Sequence, residues 1–420
     1  MGKIEKNRIF LCCPPGWRLS VPWCHTWTPF IFIDNLLPGK MTGMTSAAME
    51  KGTLIVGGGV VGLAVGWMLA RRGEPVTLLE KGKTGREASW AAAGMLAPAT
   101  EVAYQEDLNL MLGLESMRLY PEFVAELQQA SGMDVDYRTE GALEVSFCAD
   151  DTARLRHILG YQQEKNLPVR SLSVTDALEM EPTLSGFLSA AAFCGMDHQV
   201  DPRLLTTALK KAYLLAGGVL REDCEVTRFV LEAGRPPAVM AGEERISAKR
   251  VLLAAGAWSG SLAGLPDKLR PPVRPVKGQM LSFQMGAIPS LTHFLRVVRV
   301  PEIYMVPKSD GRLIVGATVE EMGFDRRLTG GGIYELLKGA WESVPQVYDL
   351  PLLETWTGFR PGSRDNAPIL GQTAFPGLFV ATGHHRNGIL TTPATAVHMA
   401  SLMLEGRPPD ILKPFSPDRF

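Results

Sequence analysis

The first residues whose types and spacing suit a binding chemistry are three glycines, Gly57, Gly59 and Gly62, in the pattern G-x-G-x-x-G. The first permits a tight turn, the second lets a pyrophosphate approach the backbone because it has no Cβ, and the third lets a helix pack against a strand. A helix that begins at this turn presents free N–H groups to phosphates. The pattern predicts a dinucleotide site that includes Val61.

The elements that would position these glycines come in the required order. An apolar strand, Thr53–Val56, precedes the turn, a helix over Leu63–Arg72 follows, and a second strand, Val76–Glu80, comes next. An acid at the end of that second strand accepts both hydroxyls of a ribose. A glycine-rich structural turn does not explain Glu80, so we expect a dinucleotide fold.

The stretch after Glu80 is rich in small residues, Gly85-Arg-Glu-Ala-Ser-Trp-Ala-Ala-Ala-Gly-Met-Leu-Ala-Pro98. It would let the backbone pass close to a flat ring system, as a flavin requires. A helix packed through small residues explains the same composition. The residues alone therefore leave FAD and NAD both open.

Composition excludes several classes of protein. The chain has 420 residues, enough for two domains, with 46% hydrophobic and 21% charged residues and a net charge of −1. This balance gives no reason to expect nucleic acid or stable membrane association. The six cysteines form no C-x-x-C pair, so neither a zinc site nor a redox motif is predicted, and a reducing cytoplasm is expected. No metal-ligand cluster or Ser-His-Asp set is apparent.

The N-terminal segment differs from the rest of the chain. Residues 1–49 contain three tryptophans, Trp17, Trp23 and Trp27, and show no helical or strand period. Their apolar runs are shorter than the ~20 residues that a membrane span needs. We expect an extension outside the fold; a targeting arm and an ordered appendage are the alternatives.

Beyond the glycine turn, the pattern predicts α/β units at both ends of the chain and a mainly antiparallel middle. The predicted helices are Leu108–Ala130, Asp151–Lys165, Ala177–Glu181, Pro202–Ala216, Tyr334–Val344 and Pro393–Leu404. The predicted strands are Gly141–Phe147, Val219–Phe229, Arg250–Ala255, Leu281–Phe283, Ile303–Val306, Arg312–Ala317, Leu353–Gly358 and Leu378–Ala381.

From about residue 52 to residue 409 the chain resembles the D-amino-acid oxidase family of FAD enzymes, and within it the glycine-oxidase branch of thiamine biosynthesis. The stretches that carry the resemblance are the dinucleotide motif with Glu80, Ala88–Pro98, Ala254–Ser259, and Trp356–Asp365 taken together with Ala381–Leu390. The first and third are common to many FAD oxidoreductases. The second and the last are more specific.

The resemblance implies noncovalent FAD between an FAD domain and a substrate domain. It implies hydride transfer from the substrate Cα to the flavin, reoxidation by O2 to give hydrogen peroxide, and an imine that is hydrolysed to a 2-oxo acid and ammonia or used in thiazole formation. The expected substrate is a small amino acid, with glycine favoured. A homo-oligomer is compatible with the sequence.

The implied fold class is α/β, with a Rossmann-type, glutathione-reductase-like FAD domain and a second α+β domain built on an antiparallel sheet. The FAD domain is expected to comprise residues 50–138, 199–270 and 350–410. The substrate domain would comprise residues 139–198 and 271–349, and residues 411–420 would form a C-terminal tail.

Matching positions carry the family's site residues over. Arg360 matches the arginine that holds the substrate carboxylate, Tyr304 a tyrosine that adds a hydrogen bond there, and Arg386 a residue near flavin and substrate. Glu302 and Val319 flank the expected pocket and differ from the His and Met of related enzymes, which puts substrate preference in doubt. The implied cofactor contacts are Gly57, Gly59, Val61, Gly62, Glu80, Lys81, Ser89, Ala93, Gly94, Met95, Val226, Gly256, Trp258, Gly383, Arg386, Asn387, Gly388, Ile389 and Leu390.

Other interpretations remain open for these residues. Arg360 would also suit a surface salt bridge, although Pro361-Gly362 suggests a loop that aims it; Tyr304 would suit a core position, and Arg386 a structural one. His384 and His385 would suit a catalytic or metal-binding role, but they are adjacent in the chain, so their side chains are expected to point in different directions. Competing functions are a sarcosine or D-amino-acid oxidase or dehydrogenase, a non-catalytic FAD-binding subunit, and an NAD-dependent dehydrogenase.

Overall fold

The computed structural model describes residues 52–420, so the extension predicted over residues 1–49 lies outside the described residues. The α-helices are α1 (Val60–Ala70), α2 (Ala88–Ala91), α3 (Asp107–Ser131), α4 (Ala149–Glu164), α5 (Val174–Met180), α6 (Pro202–Leu215), α7 (Gly330–Ser343) and α8 (Thr392–Glu405). The β-strands are β1 (Thr53–Val56), β2 (Val76–Leu79), β3 (Met95–Leu96), β4 (Ala142–Ser146), β5 (Val169–Leu172), β6 (Ala190–Cys194), β7 (His198–Gln199), β8 (Val219–Arg221), β9 (Val226–Val230), β10 (Ala238–Ala241), β11 (Glu244–Ser247), β12 (Arg250–Leu253), β13 (Arg274–Gln284), β14 (Val297–Arg299), β15 (Tyr304–Pro307), β16 (Arg312–Gly316), β17 (Leu352–Gly362), β18 (Ile369–Gln372) and β19 (Leu378–Thr382).

A six-stranded sheet, in the order β18-β19-β12-β1-β2-β8, forms the first half of the fold. Its strands run parallel except for β18, which is antiparallel at the edge. All four residues of β1 and of β2 are buried. Parallel strands covered on both faces are continuous apolar runs, which is why the sequence marked them clearly.

Two different layers cover this sheet. One face packs on α1, α3, α6 and α8, with Ile55 and Leu78 in the shared core. The other face packs on a three-stranded antiparallel sheet, β11-β10-β9, with Leu54 and Val56 in that core. Successive side chains of a strand point to opposite faces, so β1 supplies both cores.

An eight-stranded sheet, in the order β17-β13-β16-β15-β14-β4-β6-β5, forms the second half. Its strand pairs are antiparallel except for β14 with β4. The two halves meet where β17 passes α2: the indole of Trp356 donates a hydrogen bond to the Ala91 carbonyl at 3.1 Å. A Cβ on Gly358 would lie 2.4 Å from the Ala91 side chain. This contact requires glycine at position 358.

The predicted fold class is confirmed, and two local predictions are wrong. The strand predicted over Val219–Phe229 is two strands in different sheets, β8 and β9, separated by a turn with Asp223 at φ +53°. Pro361 and Gly362 are not a loop, because they pair with Pro275 and Arg274 and end β17. Within residues 52–420, no helix combines the length and the apolar character needed to cross a bilayer.

Candidate active site

A cavity of about 690 Å³ opens between the two halves of the fold. It is lined by the carboxyl ends of β1 and β12 on one side and by strands of the eight-stranded sheet on the other. Ligands of open α/β sheets bind outside the carboxyl ends of the strands. Most predicted site residues line it: Gly57, Gly59, Val61, Glu80, Lys81, Ser89, Ala93, Gly94, Met95, Val226, Gly256, Trp258, Gly388, Ile389, Arg360, Tyr304 and Arg386.

Four predicted cofactor contacts do not line this cavity. Gly62 lies inside the glycine turn, where a Cβ would be 2.0 Å from the Gly57 carbonyl oxygen. Gly383 has φ +74° in the turn after β19. The side chain of Asn387 is buried and Leu390 packs in the core of the helical layer. The structure thus places these four behind the wall of the cavity.

The two other glycines of the turn are required for different reasons. Gly57 has φ +110°, and a Cβ there would lie 2.4 Å from the Ala254 carbonyl oxygen. At Gly59 the nearest atom to a Cβ would be the Ser89 hydroxyl, at 3.4 Å. Among the described residues, no other atom lies close to a Cβ at position 59. A side chain at this position would therefore occupy the cavity itself. This cradle fits the pyrophosphate of a dinucleotide.

The rest of the turn also suits a dinucleotide. The Glu80 carboxylate accepts hydrogen bonds from the amides of Gly58 at 2.7 Å and Gly82 at 3.0 Å, which hold it at the end of β2 beside the cavity. The Val60 amide donates to the Ser89 hydroxyl at 2.9 Å. Val60 and Val61 line the cavity, so the first turn of α1 presents its positive end there, as phosphate binding needs.

Lys81 and Trp258 form an aromatic-cation wall of the cavity. The Lys81 ammonium lies 3.2 Å from the centre of the Trp258 ring, and burial lowers the pKa of Lys81 although Glu87 and Glu80 oppose it. Phe324 stacks on the same ring with centroids 5.0 Å apart. A loop of the half with the eight-stranded sheet thus reaches the wall formed by the half with the six-stranded sheet.

Arg360 lies at the opposite wall, on β17. Its guanidinium rests on Gly278, where a Cβ would be 2.7 Å from Nη1. Nη1 donates to the carbonyls of Thr318 at 3.0 Å and Lys277 at 3.4 Å. Among the described residues no carboxylate lies within 4 Å of this guanidinium. A half-buried guanidinium without an anionic partner is suited to bind one from solution.

Tyr304 is on β15, which is separated from β17 by two strands of the sheet, but its side chain reaches Arg360. Its hydroxyl lies 3.5 Å from the Met280 sulfur. Burial raises the pKa of Tyr304, and the positive charge of Arg360 acts in the opposite direction. The hydroxyl therefore stays protonated at neutral pH and is able to donate a hydrogen bond.

Arg386 also lines the cavity, but it has an anionic partner. Its guanidinium pairs with both carboxylate oxygens of Glu106 and donates to the Glu101 carbonyl at 3.2 Å. Burial favours the neutral form of Arg386, but Glu106 and Glu101 outweigh it and raise its pKa. The structure thus supports the structural interpretation of Arg386 rather than a free clamp.

The two adjacent histidines both line the cavity and are both neutral at pH 7. Burial lowers the pKa of His384 to about 4 and that of His385 to about 4. The His384 ring is hydrogen-bonded to the Thr395 hydroxyl at 3.2 Å. Neither ring adds positive charge to the cavity, and the described residues contain no cluster suited to a metal ion.

Sequence reasoning missed several lining residues. Arg299 pairs with Tyr304 across β14 and β15, so both side chains are on one face of the sheet. Its guanidinium donates to the Thr100 carbonyl and lies 4.0 Å from the Glu101 carboxylate. Arg299 and Tyr304 are brought together only by the register of β14 with β15. No local pattern in the sequence predicts that register. Glu302 and Val319, which the sequence did single out, also line the cavity.

The comparisons with known proteins agree with this geometry. The family model described as DAO, FAD dependent oxidoreductase, matches residues 53–402. The glycine oxidase of Pseudomonas putida is 32% identical over 375 residues, which cover 88% of this chain and 99% of that protein. The bifunctional protein ThiO/ThiG of Trichormus variabilis is 34% identical, over 89% of this chain and 55% of its own length.

A solved structure has the same fold. The crystal structure of glycine oxidase from Geobacillus kaustophilus aligns with a TM-score of 0.82 at 34% identity, covering 89% of this chain and 99% of that chain. These findings decide between the two dinucleotides that the residues alone left open. The chain belongs to the family of FAD dependent oxidoreductases, as the resemblance predicted, and FAD is its cofactor.

Proposed function

We propose that this enzyme oxidises glycine or another small amino acid at the bond between Cα and the amine nitrogen. Bound FAD would accept the hydride that leaves Cα, and O2 would then take up the electrons to give hydrogen peroxide. The imine product would be hydrolysed to a 2-oxo acid, glyoxylate in the case of glycine, and ammonia. Relatives named glycine oxidase support this assignment.

The observation that carries the proposal is the guanidinium of Arg360. It lines the FAD cavity, and none of the described carboxylates is paired with it. A planar guanidinium binds a carboxylate through two parallel hydrogen bonds, which a lysine ammonium cannot reproduce. Nη1 is held by two carbonyls, and this fixes the plane in which a carboxylate would bind. Arg360 would therefore orient the substrate.

The neighbouring residues complete the binding site. The protonated Tyr304 hydroxyl would donate a further hydrogen bond to the same carboxylate. His384 and His385 are neutral at pH 7 because burial lowers the pKa of each to about 4. They would not repel a substrate amine. The amine must itself be neutral before hydride leaves, and it would lose its extra proton to solvent on binding, without a dedicated base.

The product would also serve thiamine biosynthesis, where the imine feeds thiazole formation. This part of the proposal is supported by relatives named bifunctional protein ThiO/ThiG, in which a chain like this one occupies about half of a longer protein.

A reducing cytoplasm is the proposed location, because Cys148, Cys194 and Cys224 are all free thiols in the described part of the chain.

We also propose the two-domain division with one altered boundary. The six-stranded sheet would belong to the FAD domain and the eight-stranded sheet to the substrate domain. Because β17 pairs along its whole length with β13, the boundary expected at residue 350 would lie after Gly362.

A substrate panel tests the proposal. Glycine, sarcosine, D-alanine and D-proline are supplied in turn to the purified enzyme with O2 or a dye as acceptor, and peroxide and 2-oxo acid are measured. We expect glycine to give the highest kcat/KM, with peroxide formed in proportion to substrate consumed. Turnover with a dye and no peroxide from O2 would instead identify a dehydrogenase. No turnover of any of the four would refute the substrate class.

Secondary amines such as sarcosine are the second candidate. Val319 lines the cavity and its side chain is 72% exposed, so this part of the wall is open to solvent. An N-methyl group would find room there. A kcat/KM for sarcosine above that for glycine would favour this alternative.

A further inference from the structure

A buried polar cluster lies directly behind Arg360, on the other face of β13. Lys277 is 1% exposed and Gln279 is fully buried. Side chains alternate along a strand, so these two point away from Gly278, on which the Arg360 guanidinium rests. A buried ammonium is tolerated only with an anionic partner. Lys277 therefore needs an anionic partner in this cluster, although the cluster lies outside the cavity.

Glu320 is the centre of this cluster. One carboxylate oxygen lies 3.1 Å from the Lys277 ammonium. The other accepts hydrogen bonds from the Gln279 amide group at 2.7 Å and the Thr318 hydroxyl at 2.5 Å. Burial acts to raise the pKa of Glu320, but these three donors outweigh it and lower the pKa below its ordinary value. Glu320 is thus an ionised carboxylate held by three side chains.

The same cluster fixes both groups that hold Arg360. The Lys277 carbonyl accepts from the Glu320 amide at 3.0 Å and from Arg360 Nη1 at 3.4 Å. The Thr318 carbonyl accepts from Nη1 at 3.0 Å, and the Thr318 hydroxyl is the one bonded to Glu320. Each acceptor of Nη1 therefore belongs to a residue whose side chain is tied to the Glu320 carboxylate.

We propose that the ion pair between the buried Lys277 and the partly buried Glu320 is a positioning element for Arg360 and thereby sets the affinity for the substrate carboxylate. The inference rests on the proposed function, in which Arg360 binds that carboxylate. It predicts that a change at Glu320 acts on substrate binding although Glu320 touches no substrate. A displacement of the guanidinium by a fraction of an ångström would misalign its two donors from the carboxylate oxygens.

The variant that tests this is Glu320→Gln in the FAD-loaded enzyme. It keeps the size and the acceptor oxygen but removes the charge that pairs with Lys277. The matched control is Glu74→Gln, which neutralises another partly buried ion pair, Glu74 with Arg250 at 2.8 Å. That pair lies at the start of β2 and β12, away from the strand ends that line the cavity.

Two quantities are measured: the Kd of acetate, from the change it causes in flavin absorption, and KM and kcat for glycine. We expect Glu320→Gln to raise both Kd and KM roughly tenfold while kcat stays within about twofold. Glu74→Gln should leave both affinities within about twofold. In the Arg360→Ala background, Glu320→Gln should cause no further loss of kcat/KM, because residues that act through one another are not additive.

The outcomes separate this inference from the proposed function. If Arg360→Ala weakens acetate and glycine binding but Glu320→Gln does not, the positioning role is wrong and the clamp stands. A full effect of Glu320→Gln in the Arg360→Ala background would also overturn it, since the cluster would then act by another route. If Arg360→Ala changes neither affinity, the clamp itself fails and the inference fails with it. Should Glu320→Gln not fold, Glu320→Asp keeps the charge, withdraws the carboxylate by one methylene, and is expected to raise Kd and KM in the same direction.

Discussion

Replacing Arg360 with alanine removes the guanidinium that the structure places on Gly278 without an anionic partner among the described residues. The variant should still bind FAD, because Arg360 is in β17 and not in the glycine turn that would hold the pyrophosphate. The substrate carboxylate would instead enter a cavity with its hydrogen-bond partner missing. We therefore expect a loss in substrate binding and not in flavin content.

The size of the loss follows from the burial of the site. Removing one partner of a hydrogen-bonded, buried charge pair costs about 2–5 kcal/mol, and about 1.4 kcal/mol corresponds to tenfold. Arg360 is half-buried and Val319, which follows Thr318 at the same wall, is 72% exposed. Solvent would offset part of the cost, so we expect kcat/KM for glycine to fall about 30- to 300-fold. Arg360→Lys should be impaired as well, because a point charge lacks the planar fork.

Steady-state peroxide production and flavin absorption are the assays. Acetate and glycolate should compete with glycine and perturb the flavin spectrum of the wild type, and they should lose this effect in Arg360→Ala. The matched control is Arg364→Ala, an exposed arginine four residues along the chain that does not line the cavity; it should behave as wild type. A near-normal KM for glycine with normal acetate binding in Arg360→Ala would refute the clamp and make Arg386 the next residue to test.

Three further predictions concern the cofactor, the hydroxyl and the buried histidine. Gly59→Val should abolish FAD binding in a protein that still folds, because a Cβ there meets only Ser89 at 3.4 Å; flavin retained at the level of a Gly160→Val control would contradict this. Tyr304→Phe should raise KM for glycine roughly 10- to 100-fold, since a hydrogen bond to a charged group contributes ~1.5–3 kcal/mol; an unchanged KM would assign Tyr304 to the core. Burial lowers the pKa of His384 to about 4, against 6.5 for an unperturbed histidine. As the pH falls, the unfolded chain therefore binds a proton at this position before the folded chain does. The stability that comes from keeping His384 neutral is complete above pH 6.5 and is lost as the pH falls towards 4. In urea unfolding at pH 7.5 and 4.5, the free energy of unfolding of the wild type should fall between the two pH values by up to about 3 kcal/mol more than that of His384→Asn. An equal fall in both proteins would show that His384 is not the origin of the pH dependence.

The parts of the fold that the sequence predicted are those with a local pattern. Thr53–Val56 and Leu378–Ala381 are apolar runs buried on both faces of a parallel sheet. The helix α6 begins at Asp201, whose carboxylate accepts hydrogen bonds from the amides of Arg203 and Leu204. The hairpin of β10 and β11 went unpredicted because β10 is an apolar run of only four residues, and its partner β11 is half-exposed and carries the charged residues Glu244 and Arg245.

The candidate site was predicted in the same uneven way. The glycine turn and Glu80 form one continuous motif, so their proximity follows from the sequence. Arg360 was identified by resemblance, but its support by Thr318 and Lys277 depends on the register of β13 with β17. The pairing of Arg386 with Glu106 joins residues far apart in the chain, and a pattern of one sequence contains no information about such a contact.

The most direct test of the account is whether glycine reduces the bound flavin. The purified enzyme should be yellow and should release FAD when denatured. Glycine added without oxygen should bleach the flavin absorption, and admitting O2 should restore it with formation of hydrogen peroxide. A colourless protein that cannot be reconstituted with FAD would contradict the assignment of the cofactor site. A yellow protein whose spectrum glycine, sarcosine and D-alanine all leave unchanged would contradict the proposed amino-acid oxidation.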